Sequence, residues 1–307
     1  MSTPIEQNTI DLREIRNEVN LLIENSGIPC TLTISTVPNA TVTAALGNTT
    51  VTAIADVNGT AILELLKEGV WTVTATYEGE TVSTQVDTSL SLETEIQFAD
   101  PILENNTWEQ ISKIARSGKA SQIWNVGDTR PIAISGVTYT AQIMDFDMYD
   151  VSDPASYGRE KAGVVFQLVE LINSAQNWSN AKTYANSKIT NESECKDFVP
   201  MVVYPQLAAY NATQVSTATA KGFLASEQEI FGANSKFENP AVGTQFAFYK
   251  AGNSPIKKVV GSTSDVAYWT RSYRSNYSTT PVIVDAGGTI STKAMGSAVN
   301  YTPIFCI

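Results

Sequence analysis

The side chains most often used in nucleophilic catalysis and metal binding are scarce in this sequence, which has three cysteines and no histidine. The absence of histidine excludes Ser-His-Asp and Cys-His catalysis as well as histidine-ligated zinc. Cys30, Cys195 and Cys306 lie far apart and form no Cys-x-x-Cys pair. We therefore expect three buried, reduced thiols. A bridge between Cys195 and Cys306 is an alternative that the spacing does not support.

Carboxylates are the remaining candidates for catalysis or metal binding. Asp145, Asp147 and Asp150 cluster in one short segment, and alternation could place the first two on one face of a strand. The segment lacks the glycine and glutamate of an EF-hand loop. We expect a solvated strand end there, with no metal site and no cofactor. Glycosidase chemistry depends on the separation of two carboxylates in space, which the sequence does not give.

Charge and hydropathy argue against two classes of partner. The 307 residues include 31 acidic and 20 basic side chains, for a net charge of −11. Such a chain repels phosphate backbones, so we expect no nucleic-acid partner. No apolar run reaches the ~20 residues that a membrane span needs. The polar, acidic N-terminus predicts synthesis in the cytoplasm without a secretory signal.

Residues 1–26 have the pattern of a short oligomerising helix. Apolar residues recur with alternating spacings of three and four, and Asp11 is placed to meet Arg16 of a neighbouring helix. About three heptads are marginal for an isolated helix, so this one needs a partner. We expect a parallel coiled coil, with a trimer favoured and a dimer possible. The alternative is a single amphipathic helix packed on the next domain.

Residues 28–99 have a different pattern, in which threonine and valine alternate with a period of two. Turn signals such as Asn58-Gly59 and Glu78-Gly79 separate the runs, which predicts an antiparallel β-sandwich. The order of the pieces, with 56–61 before an apolar strand and 68–73 after it, resembles prealbumin-like and bacterial Ig-like spacer modules. That resemblance implies a spacer without chemistry of its own.

Residues 103–307 predict an α+β domain that starts after Asp100-Pro101. Thr107 is placed to cap a helix over 108–116. We expect further helices over 181–187 and 192–198. Short strands are predicted over 246–249, 267–272, 282–284 and 304–307.

Several segments of this last region together resemble a C-type-lectin-like family found at the C-termini of gut bacterial and phage surface proteins. The segments are Trp108-x-x-Ile111, Gly118-Lys119-Ala120, 124–128, 177–180, 224–229, Tyr268-Trp269-Thr270-Arg271-Ser272 and 303–305. The resemblance implies a C-type-lectin-like fold for 103–307. Glu238-Asn239-Pro240 has the wrong order for a sugar-binding calcium motif, so no calcium is expected. Cys306 has no neighbouring cysteine, unlike the reactive pair of the related formylglycine-generating enzymes.

The architecture also resembles the variable proteins of diversity-generating retroelements, including phage receptor-binding tips. Those proteins carry their binding surface in the last part of the lectin-like domain. The corresponding segment here contains side chains suited to adaptable contacts, namely Tyr273, Arg274, Ser275, Asn276, Tyr277 and Ser278. Its composition is compatible with adenine-directed diversification and with an ordinary polar loop. Replacing Tyr273, Arg274 and Tyr277 with alanine is expected to abolish binding without lowering the melting temperature.

Secondary contacts are possible at Trp269, Arg271, Asn177, Trp178 and Asn180. For Trp269 and Arg271 we favour buried roles, and we place 177–180 in a loop. The function implied by the resemblance is that of a non-enzymatic adhesin on a phage tail or virion, which binds a protein or glycan receptor on a bacterial surface. The alternatives are a glycan-acting surface enzyme and a purely structural virion protein.

Overall fold

The computed structural model describes residues 14–15, 27–77, 79–96, 98–207, 214–275, 277 and 279–307. The chain divides into two compact units, Met1–Phe98 and Ala99–Ile307. Both are rich in β-structure and the second also contains helices, which confirms the expected mixed α+β class. The predicted oligomerising helix lies outside the described residues except for Glu14 and Ile15, which are helical. In the described ranges, no helix has the length and apolar character needed to cross a bilayer.

The first unit consists of two β-sheets that share one core. The sheet orders are β4-β1-β7 and β3-β2-β5-β6. Alternation buries the side chains of one face, including Leu32, Ile34 and Trp71, while threonines on the other face pair across strands. The seven strands are β1 Cys30–Ser35, β2 Thr41–Leu46, β3 Thr49–Ile54, β4 Thr60–Leu65, β5 Val70–Tyr77, β6 Glu80–Asp87 and β7 Glu93–Glu95.

A turn before β4 shows how local chemistry ends one strand and starts the next. Asp56 Oδ1 accepts hydrogen bonds from the backbone N–H of Asn58 at 2.9 Å and of Thr60 at 2.8 Å. Gly59 between them has a φ of 78°, which favours glycine. The Asn58-Gly59 signal of the sequence is therefore a real turn.

The second unit contains three sheets, several helices and long connections. Its helices are α1 Trp108–Ser117, α2 Ala120–Ile123, α3 Pro154–Tyr157, α4 Trp178–Glu192, α5 Glu227–Phe231 and α6 Ala247–Lys250, with 3-10 turns at Leu103–Asn105 and Gly232–Asn234. Its strands are β8 Thr129–Ile134, β9 Val137–Phe146, β10 Asp150–Val151, β11 Val164–Leu168, β12 Ile172–Gln176, β13 Val202–Leu207, β14 Val215–Ala220, β15 Gly222–Phe223, β16 Tyr268–Tyr273, β17 Pro281–Val284, β18 Ile290–Thr292, β19 Val299–Tyr301 and β20 Ile304–Cys306.

The chain terminus is part of the core of this unit. The sheet orders are β15-β20-β11-β9-β8, β12-β19-β16-β17-β18 and β10-β13-β14. Strand β20 lies between β15 and β11, and Ile307 exchanges backbone hydrogen bonds with Val164 at 2.8 and 2.9 Å. Phe166 and Phe305 stack at 5.4 Å between ring centroids. Strand β16 is the middle strand of the second sheet, where Tyr268 at its start pairs with β19 and Tyr273 at its end pairs with β17.

Two of the predicted secondary-structure elements are wrong. The segment 192–198 is not a second helix, because Ser193 forms a β-bridge with Ile134 and turns follow it. The segment 246–249 is not a strand, because α6 begins at Ala247, whose backbone N–H donates to Asp145 Oδ2 at 2.9 Å. In both cases the deciding partner is distant in sequence.

All three cysteines are free thiols. Cys195 and Cys306 are fully buried, and burial raises the pKa of the Cys195 thiol to about 12. Burial likewise raises the pKa of the Cys306 thiol. Neither group has the low pKa or exposure that reactive cysteines share.

Candidate ligand-binding surface

Of the residues predicted to contact a ligand, Tyr273 ends β16, and Arg274, Ser275 and Tyr277 lie in the turn between β16 and β17. Tyr273 pairs with Pro281 across the two strands, and the backbone N–H of Arg274 donates to Thr280 O at 3.3 Å. A further turn is closed by Tyr277 N donating to Arg274 O at 3.1 Å. Asn276 and Ser278 lie outside the described residues. The turn therefore projects from the end of the central strand of its sheet.

Arg274 lies against two aromatic rings instead of against a carboxylate. Its guanidinium carbon is 4.1 Å from the centroid of the Tyr277 ring and 5.4 Å from that of Phe237. Tyr277 is 49% exposed, whereas Arg274 and Ser275 are half-buried. The backbone N–H of Ser275 donates to Phe237 O at 2.7 Å and so fixes the neighbouring loop to the turn. These contacts restrict the rotamers of Arg274 before any ligand binds.

Tyr273 has a different role from Tyr277. It is half-buried, and its ring packs on that of Trp178 with centroids 4.5 Å apart. On the same indole, Lys182 places its Nζ 3.6 Å from the ring centroid. Burial lowers the pKa of Lys182 to about 8. Because the ring of Tyr273 packs on a core residue, we expect Tyr273→Ala to lower the melting temperature, unlike changes at the exposed Tyr277.

The two tryptophans among the candidates are structural. Trp269 is 1% exposed and donates from its indole to Gln176 O at 2.8 Å. Trp178 is 2% exposed and donates to Thr270 O at 2.7 Å. A ligand at the surface does not reach either indole N–H, so direct contact is not their role.

Arg271 is buried beneath the turn in a dense hydrogen-bond network. Its guanidinium donates to Pro205 O at 3.1 Å, to Leu224 O at 2.7 Å and to both carboxylate oxygens of Glu229. Glu229 also accepts from Tyr149 Oη at 2.7 Å. Burial alone would lower the pKa of Arg271, but attraction to Glu229 outweighs it and the net pKa is raised. Arg271 is therefore a positioning residue and does not face a ligand.

Two further glutamates are buried near the turn, and one of them, Glu227, holds the loop that contains the other, Glu238. Glu227 accepts hydrogen bonds from the backbone N–H groups of Lys236, Phe237 and Glu238. Glu238 is 7% exposed, and within the described part of the chain its Oε2 has no hydrogen-bond partner. Burial raises the pKa of Glu238 to about 7. The segment Glu238-Asn239-Pro240, from which no calcium site is expected, thus contains a buried acid.

The segment 177–180 begins a helix, so its placement in a loop is wrong. Asn177 is the N-cap of α4, and its side chain accepts from the backbone N–H of Asn180 at 2.9 Å. An asparagine at this position is a common helix start, but the sequence lacks the glutamate three residues later that would have marked it. Ser179 and Asn180 are exposed, whereas Trp178 is buried and Asn177 is half-buried. The neighbouring Lys182 and Phe237 were not predicted from the sequence.

The three aspartates of the acidic segment 145–150 have different partners. Asp145 accepts the N–H of Ala247 in α6, Asp147 pairs with Arg159 at 3.0 Å and Asp150 with Lys161 at 3.1 Å. Across the described residues, no group of three or more acidic or cysteine side chains is arranged to hold a metal ion.

Comparison with known proteins gives one match. Residues 163–307, just under half of the chain, match the family described as a domain of unknown function, DUF6273. The matched part contains the β16–β17 turn, Arg271 and Glu229. No curated protein and no solved structure matches the chain significantly.

Proposed function

We propose that this chain is a phage tail or virion protein that binds a receptor on the bacterial surface through the β16–β17 turn. In this proposal the second unit is C-type-lectin-like and the first unit is an Ig-like spacer. The observation that carries it is the turn itself, in which Tyr277 is exposed and Arg274 and Ser275 are partly exposed, directly after a strand whose buried Arg271 is paired with Glu229.

The physical basis of the proposal is preorganisation. Binding costs free energy whenever mobile side chains must be ordered, and a rigid base reduces that cost. Arg274 is held between Phe237 and Tyr277, and the backbone of Ser275 is fixed by Phe237. Tyr277 supplies a large, half-exposed ring with few rotatable bonds, which suits recognition of varied ligands.

The expected oligomer would add avidity. Several copies of a weak surface bound to one cell act at high effective concentration and bind far more tightly than one copy. The heptads of residues 1–26 would supply the oligomer, and the spacer would carry the binding units away from it.

The test is binding of the full chain to host cells. We expect Arg274→Ala and Tyr277→Ala each to weaken binding by about tenfold or more, as for anchor residues of other interfaces. Tyr184→Ala removes a tyrosine that is 40% exposed on α4 and serves as the matched control. Fluorescently labelled protein and flow cytometry measure retention, and thermal melts verify that each variant is folded.

Unchanged binding of both turn variants would contradict the assignment of the surface. Release of soluble glycan fragments from the cells, instead of stable retention of the protein, would indicate the enzyme that the sequence left as an alternative.

A further inference from the structure

The β16–β17 turn belongs to a larger surface formed by four chain segments. Ser275 N donates to Phe237 O at 2.7 Å, which joins the loop after α5. Met295 N donates to Thr279 O at 2.8 Å, and Trp178 N donates to Met295 O at 3.1 Å. Lys293 N donates to Pro281 O at 3.2 Å. The loop after β18 and the start of α4 therefore border the turn on its other side.

This surface has the opposite charge to the protein as a whole. The segments 176–183, 233–237, 273–280 and 291–298 contain four cations and no aspartate or glutamate, in a chain of net charge −11. The cations are Lys182, Lys236, Arg274 and Lys293. Lys236 and Lys293 are exposed, and the other two are half-buried.

The nearest acidic groups do not neutralise these cations. The carboxylate of Glu227 is buried and accepts three backbone N–H groups. Glu238 is buried as well, and its raised pKa of about 7 leaves it substantially protonated near neutral pH. Within the described ranges, none of the four cations forms an ion pair, and Lys182 and Arg274 contact aromatic rings instead.

We propose that this four-cation surface binds an acidic polysaccharide, whose repeating carboxylate or phosphate groups contact Lys182, Lys236, Arg274 and Lys293. The inference rests on the proposed receptor-binding function and specifies the chemistry of its ligand. A repeating anion fits cations that come from four separate segments. The exposed ring of Tyr277 and the partly buried ring of Phe237 offer apolar faces to the sugar units between the charges.

The charge of the whole molecule favours a sparsely charged polymer over nucleic acid. Double-stranded DNA carries one charge per about 1.7 Å, and an acidic protein repels so dense an anion. An acidic polysaccharide has about one charge per sugar unit or fewer, so it gains from the local cations while it avoids most of that repulsion. Binding of this kind weakens as salt is added.

The experiment measures binding of the full chain to immobilised polymers at low and physiological ionic strength. The probes are polygalacturonate for carboxylates, phosphorylated dextran for phosphates, neutral dextran, and double-stranded DNA. We expect salt-sensitive binding to polygalacturonate, phosphorylated dextran or both, and none to neutral dextran. The double variant Lys236→Ala/Lys293→Ala is expected to bind about tenfold more weakly, and the exposure of both side chains means that the fold is retained.

The matched control is Lys113→Ala/Lys250→Ala, which removes two exposed lysines elsewhere on the same unit and changes the net charge equally. Equal losses of binding in the two double variants would show that net charge alone determines binding, and this would overturn the proposed site. Equal binding to DNA and to the acidic polymers would overturn the polysaccharide. If neither acidic polymer binds while host-cell binding still depends on Arg274, the acidic ligand is wrong and the receptor-binding function stands.

Discussion

Arg271 is a buried side chain that donates to Pro205 O, Leu224 O and both carboxylate oxygens of Glu229. We expect Arg271→Met to lower the free energy of unfolding by about 3–5 kcal/mol, because the change leaves Glu229 as a buried, uncompensated charge. Denaturant unfolding measures this loss. The control is Lys113→Met, which breaks an exposed pair with Glu109 and is expected to cost less than about 1 kcal/mol. Similar costs for the two variants would contradict a structural role for the buried pair.

The raised pKa of Glu238 predicts how the stability of the protein changes with pH. The folded protein holds the proton of this carboxyl more tightly than the unfolded chain does, since burial raises its pKa from 4.5 to about 7. The free energy of unfolding is therefore highest below pH 4.5, as far as this group is concerned, and falls by roughly 3 kcal/mol as the pH rises to 7.

The test of this pH dependence is Glu238→Gln, whose side chain keeps the shape and cannot ionise. Above the folded-state pKa we expect the variant to be more stable than the parent chain, and below pH 4.5 to lose that advantage. Thermal melts across the pH range measure both. Glu160→Gln, at an exposed position, is the control. A parallel pH dependence of parent and Glu238→Gln would show that Glu238 does not titrate in this window.

The binding surface at 273–277 is predicted from its tyrosine, arginine and serine content, and it stays a prediction. The structure adds the packing around it. No sequence pattern marks Lys182, because it contacts Trp178, whose ring packs on Tyr273 although it lies 95 residues earlier in the chain. Asn177 was also misplaced, because a capping asparagine and a loop asparagine look alike without the following glutamate.

At the scale of the elements, the close approach of α1 to the residue before β11 predicts the effect of a glycine substitution on stability. A Cβ on Gly163 would lie 2.4 Å from Ala115 O and 2.7 Å from Ala115 Cα, so α1 contacts the chain just before β11. We expect Gly163→Ala to cost about 1–3 kcal/mol through overpacking. Gly296→Ala is the control, since its Cβ meets nothing within 4 Å. Denaturant unfolding compares the two, and a neutral Gly163→Ala would mean that α1 shifts freely.

Strands were easier to predict than short helices. The alternation in 30–87 reports burial on one face directly, and the strands appear where that pattern predicts them. Helix α6 has four residues and depends on the carboxylate of Asp145, which is 102 residues away. Helix α4 extends to both sides of the predicted 181–187, since Asn177 starts it. Short elements that are held by distant partners show no periodic pattern of apolar residues in the sequence.

On the scale of the whole molecule, the sequence separates the chain at Asp100-Pro101, and the structure divides it between Phe98 and Ala99. The change from threonine-rich alternation to a mixed pattern marks this division because the two parts bury different cores. The order of strands in the second unit was not predictable. Its β20 pairs with β11 and β15, and such distant pairings leave no local trace in the sequence.

Oligomerisation is the last prediction at this scale, and it rests on the heptads of residues 1–26. Ile15, which occupies one of the apolar heptad positions, is 55% exposed in the single chain, as expected of a side chain that needs a partner helix. We expect light scattering to give a trimer, or a dimer, for the parent chain and a monomer for Ile15→Asp. The control Asn17→Asp adds the same charge at an outward heptad position and should leave the oligomer intact. If avidity operates, Ile15→Asp also weakens host-cell binding by about 100-fold while the binding unit itself is unchanged. A parent chain that is already monomeric, or an Ile15→Asp variant that stays oligomeric, would contradict the coiled coil.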